Sequence, residues 1–209
     1  MSLHPPDLHP GEAAALAART ASRAAGEGVA EVAYARVDGP VGRLVAIATP
    51  RGLVRLAYEL ENGGLDSVLD VIARRLSPRI VEAPASLDNV RRELDEYFAG
   101  RRREFDVPLD WGLVGSGFAR RVLEAAIAIP FGATSTYRAV AAAAGSPNGY
   151  RAAGNALGAN PIPIVVPCHR VLASTGGLGG YTGGLERKSL LLGIEGDPGG
   201  GQLALATDG

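Results

Sequence analysis

Apolar residues first come in short, separated runs. They occupy 31–37, 41–48 and 53–58, and turn signals separate them: Asp38-Gly39-Pro40, then Thr49-Pro50-Arg51-Gly52. Runs of this length with such punctuation predict three strands in an antiparallel meander. The period then changes. Leu65, Val68, Leu69, Ile72 and Leu76 recur at helical spacing, which predicts a helix over 65–76. A brief strand is expected at 79–81. A second helix over 86–98 carries Val90, Leu94, Tyr97 and Phe98 on one face and stops at Gly100. From 101 to 115 the periodicity breaks up. Here 105–110 reads as extended, Gly112 and Gly115 loosen the chain after it, and a linker is expected. The stretch up to 110 shows no nucleophile, metal cluster or glycine-rich phosphate loop, so its expected role is structural.

The second half is mainly helical. An amphipathic helix over 116–129 closes at Pro130-Phe131-Gly132. Thr134, Ser135 and Thr136 are candidate caps for a helix over 137–144, which Gly145 ends. A third helix follows over 148–157, and the pair has helix-turn-helix proportions. Apart from Tyr150, Arg151 and Leu157 this third helix is nearly bare of bulk. Such smoothness suits either close approach to another surface, with Arg151 standing out, or tight packing between helices; the pattern leaves both open. The apolar run 162–166 predicts a short buried strand that delivers Pro167-Cys168-His169-Arg170 at its tip. Six glycines then fall between 176 and 184, around Tyr181 and Thr182, and imply unusual backbone angles or a close neighbour. A last helix covers 185–194, with Gly196 as its cap.

These patterns predict an α+β chain in four parts. Residues 1–28 are a loosely attached extension, helical over the alanine-rich 12–25 and with His4 and His9 solvated. Residues 29–110 are a small antiparallel sheet-plus-helix unit, 111–196 a mostly helical unit, and 197–209 a disordered tail.

Composition narrows the function classes. Of 209 residues 46% are apolar and 21% charged, the balance of a soluble globular protein. No run approaches the roughly eighteen apolar residues of a membrane span. The N-terminus shows no signal or transit pattern, so the cytoplasm is the expected compartment. One cysteine excludes an internal disulfide, and with three histidines it excludes a cysteine-rich zinc site. The net charge of −1 is uneven: between 111 and 190 seven cations oppose Glu124 and Glu186, a local +5, and the rest of the chain carries −6. That half is compatible with phosphate contacts. Lys188 is the sole lysine beside twenty arginines. It is either a stray survivor of compositional bias or a site that needs a compact ammonium.

Cys168 is the one candidate nucleophile. A free thiol of ordinary acidity is only about 3% thiolate at neutral pH. His169 is adjacent, but neighbours on a strand or helix do not face each other. The two cooperate only if the backbone turns sharply at Pro167 or a water bridges them. Glu195 is one of few carboxylates in this half to orient the histidine. A buried, inert cysteine remains the alternative.

Taken together, Arg151-Ala-Ala-Gly-Asn-Ala, Asn160-Pro161, Pro167-Cys168-His169-Arg170-Val171, Tyr181-Thr182-Gly183-Gly184-Leu185, Lys188 and Glu195-Gly196 resemble the O6-alkylguanine-DNA alkyltransferases. Ile129-Pro130-Phe131-Gly132 and Tyr137 fit as well, and the resemblance runs from about Glu93 to Gly196. It implies a ribonuclease-H-like N-terminal domain and a winged helix-turn-helix-like C-terminal domain. It also implies repair of O6-alkylguanine, and of O4-alkylthymine, by irreversible transfer of the alkyl group to Cys168, one event per molecule. His169 would be the base through a water, with Glu195 orienting it and Asn160 holding the turn. Tyr137 would donate to guanine N3, with Lys188 assisting. The carbonyls of Cys168 and Val171 and the amide of Thr182, beside Tyr181, would read the base.

The partner implied is alkylated double-stranded DNA, met by a monomer without cofactor or metal. Thr136, Arg151, Ala153 and Gly154 would contact it in a minor groove only about 6 Å wide, with Arg151 filling the space left by a flipped nucleotide. Two departures stand out. Some family members hold zinc in the N-terminal domain, and this chain lacks the cysteines for it; and Tyr150 precedes Arg151 where a small residue is common. Two other functions stay in play: a damage sensor on the same scaffold, against which Cys168 argues, and a thiol hydrolase using Cys168 and His169 with multiple turnover.

Overall fold

A computed structural model describes residues 31–115 and 117–196; the expected extension over 1–28 and tail over 197–209 lie outside the described residues. The meander forms as its spacing predicts. Strands β1 (Val32–Val37), β2 (Leu44–Thr49) and β3 (Gly52–Tyr58) pair antiparallel, and β4 (Ile80–Glu82) adds parallel to β1, giving the order β3-β2-β1-β4. Both sheet faces are buried, which is why β2 reads as a continuous apolar run. Val45, Ile47 and Val54 pack on Val68 and Ile72 of helix α1 (Gly64–Arg75). The alternate residues Ala35, Leu44 and Ala46 face Leu94 and Tyr97 of helix α2 (Asp88–Phe98).

The stretch 101–115 is pinned rather than a free tether. Leu53 N donates to Pro108 O at 2.8 Å and Asp110 N donates to Leu53 O at 2.8 Å, so 108–110 covers the edge of β3. The Asp110 carboxylate accepts from Thr49 Oγ1 and from Gly112 N and pairs with Arg51, tying the segment to the β2–β3 hairpin. Gly52 makes the crossing possible: at φ +135°, a Cβ there would lie 2.2 Å from Pro108 O.

Beyond it come α3 (Phe118–Ile127), β5 (Ser135–Thr136), α4 (Tyr137–Ala143), α5 (Tyr150–Gly158), β6 (Val171–Leu172) and α6 (Leu185–Gly196). Thr136 caps α4 by accepting from Ala139 N, and Gly145 turns the chain at φ +83° toward α5. One apolar cluster runs from the sheet through α2 into Val122, Leu123, Val140 and Leu157. A further bond, Leu56 N to Pro161 O at 2.8 Å, sets the 160–171 segment directly against β3. Among the described residues no helix is long and apolar enough to cross a membrane.

Candidate active site

The run 162–166 does not form the expected strand. Pro163 removes an amide donor from within the run, and Pro161 and Pro167 remove those at its two ends. The chain instead folds on itself: Val166 N donates to Ile162 O at 2.9 Å, and Ile164 adopts φ +75°, costly for a β-branched residue. Asn160 supplies the missing bonds. Its Nδ2 donates to Val166 O at 2.8 Å and its Oδ1 accepts from Ile162 N at 3.0 Å. Cys168, His169 and Arg170 then form one turn of 3-10 helix. The sharp turn that the adjacent cysteine and histidine require is therefore present.

Asn160 Nδ2 also reaches Cys168 Sγ at 3.2 Å. Burial pushes the thiol up to about 11, against the pull of that donor and of the Lys188 charge. A pKa near 11 leaves roughly one molecule in ten thousand as thiolate at pH 7, so the cysteine needs a base. His169 is fully buried, and burial lowers its proton affinity. Its Nε2 lies 2.8 Å from Glu195 Oε1. An ionised carboxylate only accepts, so the ring proton sits on Nε2 and Nδ1 keeps its lone pair. Nδ1 is buried and meets no hydrogen-bond partner among the described residues.

Glu195 is the hub. Its Oε2 accepts from Arg170 Nε at 2.8 Å and Gly132 N at 3.3 Å, and its Oε1 accepts from Arg170 Nη2 at 3.0 Å and the Tyr97 hydroxyl at 2.8 Å. Burial works against its charge, yet the bonds from His169 and Arg170 prevail and hold it at about 2. Arg170 is itself fixed by a bond to Ile129 O.

Cys168 opens into a cavity of about 310 Å³ walled by Tyr137, Gly154, Tyr181 and Thr182. Tyr137 starts α4 and donates to Gly180 O at 3.4 Å. Bare glycine at 179 lets it sit there: a Cβ would come within 2.7 Å of the Tyr137 hydroxyl oxygen. The Tyr181 hydroxyl lies 2.8 Å from that of Tyr58 on β3, and Thr182 Oγ1 donates to Gly158 O. Lys188 is fully buried, and its ammonium donates to the carbonyls of Val171 at 2.7 Å, Gly180 at 3.3 Å and Leu178. Gly180 O links it to Tyr137. Three converging carbonyls suit a compact ammonium, which decides between the two explanations of the sole lysine. Lys188→Arg is expected to cost about 1–3 kcal/mol of stability, from overpacking and misdirected donors. Urea midpoints of the two proteins check this.

The helix-turn-helix residues divide. Arg151 is exposed at the start of α5, and both its guanidinium and that of Arg138 lie over the Tyr150 ring, at 5.6 and 5.3 Å. Gly154 faces Tyr137 across the cavity. Thr136 accepts from Ala139 N as the α4 cap. Ala153 corrects the sequence expectation: it is fully buried in the core cluster, because 153 and 157 share the inward face of α5. It offers no surface to a partner. Two participants escaped the pattern. Arg170 was in view only as a flanking cation, and Tyr97 only as part of an apolar helix face. The one available clue to Tyr97 is that a buried tyrosine hydroxyl needs a partner.

Comparison with known proteins places the chain in a family. Residues 32–111 match the family model for the 6-O-methylguanine DNA methyltransferase ribonuclease-like domain, and 117–197 that for its DNA binding domain. A methylated-DNA–protein-cysteine methyltransferase of Mycolicibacterium paratuberculosis is 40% identical over 169 residues, 78% of this chain and 92% of the relative. An inducible one of Bacillus subtilis is 41% identical over 149 residues, 71% and 81%. The crystal structure of Mycobacterium tuberculosis OGT in complex with DNA aligns with a TM-score of 0.68 at 37% identity, covering 79% of this chain and 94% of that one. The chain belongs to the methylated-DNA–protein-cysteine methyltransferase family.

Proposed function

We propose that this protein repairs DNA by moving the alkyl group of O6-alkylguanine irreversibly onto Cys168 Sγ. The observation that carries this is the sole cysteine at the floor of a 310 Å³ cavity, held by Asn160 and followed in the same 3-10 turn by His169, which is paired with a buried Glu195. A water between Cys168 Sγ and His169 Nδ1 would carry the thiol proton to the imidazole as Sγ attacks the alkyl carbon. The S–C bond forms, the C–O6 bond breaks, and the electron pair passes into the guanine ring. The Tyr137 hydroxyl would donate a hydrogen bond to N3, so that the departing base does not carry the full charge. By way of His169 and water, the proton lost by the thiol replaces the alkyl group on the base. A thioether is a poor leaving group, so nothing in the site restores the thiol and each molecule acts once.

O4-alkylthymine, which presents an alkyl ether beside a ring nitrogen in the same way, is the second substrate. The carbonyls of Cys168 and Val171 and the Thr182 amide would read the base between Tyr137 and Tyr181. Val171 O already accepts from Lys188 and keeps its second lone pair for this. Because the target is stacked, the nucleotide must flip, at roughly a few kcal/mol. Arg151, exposed at the start of the helix that lends Gly154 to the cavity wall, would fill the gap, with Gly154 giving the groove a flat approach. The protein would act as a cytoplasmic monomer on duplex DNA.

The test is stoichiometric. With excess O6-methylguanine duplex, lesion loss should stop at one per protein. Continued turnover would point to a thiol hydrolase, and tight binding with the lesion intact to a sensor. Arg151→Ala should slow transfer on duplex DNA by about 10–100-fold, the equivalent of roughly 1.4–2.8 kcal/mol of flipping energy. On a free modified nucleoside it should leave the rate unchanged. An unaltered duplex rate would remove Arg151 from this role.

A further inference from the structure

The N-terminal unit meets the site through two hydroxyls, that of Tyr58 on Tyr181 and that of Tyr97 on Glu195. Tyr97, on α2, is fully buried, and its hydroxyl lies 2.8 Å from Glu195 Oε1 and 3.4 Å from His169 Nε2. We propose that Tyr97 is a positioning residue: its hydroxyl holds Glu195 and lowers the proton affinity of the His169–Glu195 pair. The inference rests on His169 acting as base in alkyl transfer.

The charges around His169 are few. Glu195 and Lys188 face it from α6 and Arg170 from its own turn, with the Tyr181 ring edge-on at a centroid distance of 6.4 Å. Only Glu195 favours the imidazolium. Oε1 is shared among His169 Nε2, Arg170 Nη2 and the Tyr97 hydroxyl. Each donor draws charge from the oxygen, so each weakens its hold on the ring proton. Burial and the Glu195 charge keep the Tyr97 hydroxyl protonated far beyond its ordinary value, so toward Glu195 it acts as a donor at every working pH. Its ring packs among Phe98, Phe105 and Phe131, contacts that phenylalanine would keep.

The test is Tyr97→Phe in the full chain, read by NMR titration of the His169 ring nitrogens, assigned by their loss in His169→Gln. The histidine pKa should rise by about 0.5–1 unit, as expected for losing one donor from a buried carboxylate. The acid limb of the transfer rate should move with it. Tyr34→Phe, which removes a hydroxyl bonded to Glu82 on β4 and away from His169 and Glu195, should leave the titration in place. Replacing Tyr97 with 3-fluorotyrosine, a stronger donor of the same shape, should lower the histidine pKa and keeps the test open if Tyr97→Phe folds poorly. A titration that is unmoved in Tyr97→Phe, or that moves the same way in both variants, would overturn the proposal. Because the titration needs no DNA, such a failure leaves alkyl transfer standing. Absence of transfer by the wild-type protein would instead defeat the function and leave the titration result untouched.

Discussion

Cys168→Ala is expected to abolish alkyl transfer while leaving affinity for duplex DNA within about threefold of wild type. The loss should be complete because the chain holds one cysteine, and the other polar side chains lining the cavity are the weakly nucleophilic hydroxyls of Tyr137, Tyr181 and Thr182. Binding should survive because the exposed face of α5 and its flanking cations are untouched, and the change removes one small buried atom next to Asn160. Asn160 Nδ2 keeps its bond to Val166 O, so the turn retains its shape. Lesion loss and a filter-binding or anisotropy titration, run on the same preparation, separate the two effects. Residual transfer above background would show that the acceptor lies elsewhere.

Glu195→Ala should be the most damaging single change to the fold. It strands Arg170 and His169, both buried, and empties the acceptor of the Tyr97 hydroxyl and Gly132 N. Breaking a buried pair from one side costs about 3–5 kcal/mol, a large share of the stability of a domain this size. The pH dependence follows with a definite sign. Glu195 is held at about 2 in the folded protein against an ordinary 4.5, so its contribution is present above about 4.5 and is lost as the pH falls toward 2. His169 is held below its ordinary 6.5 by burial, so an unfolded chain binds its proton more readily and stability also falls below that value. Melting temperatures from pH 8 to 3 should therefore decline in two stages. The lower stage should shrink in Glu195→Ala, leaving the share of carboxylates such as Asp110 that are also held below their ordinary value, and an undiminished stage would assign the acid sensitivity to those carboxylates.

The sheet and helices were legible because local signals agreed with tertiary context. The short apolar runs of β1–β3 with their turn signals, the Thr136 cap and the Gly145 turn each have a local cause. The 162–166 run was misleading because apolar periodicity cannot separate a buried strand from a buried turn. The three prolines, which thin out the amide donors in and around the run, were the available signal. The stretch 101–115 reads as loose, since Asp110 and Gly52 act across sequence distances that no window spans. In the same way Ala153 looked like surface because small residues fit both a groove and a core, and only helix phase against α3 and α4 settles which. Cys168, His169 and Glu195 were legible as chemistry. Tyr97 was not, since nothing in a helix stripe shows that one ring carries its hydroxyl to a carboxylate 98 positions away.

The most direct measurement is the mass of the tryptic peptide containing Cys168 after incubation with a duplex carrying one O6-methylguanine. One added methyl on Cys168, in an amount equal to the guanine restored, is the predicted result. An unmodified Cys168 peptide alongside repaired DNA would contradict it.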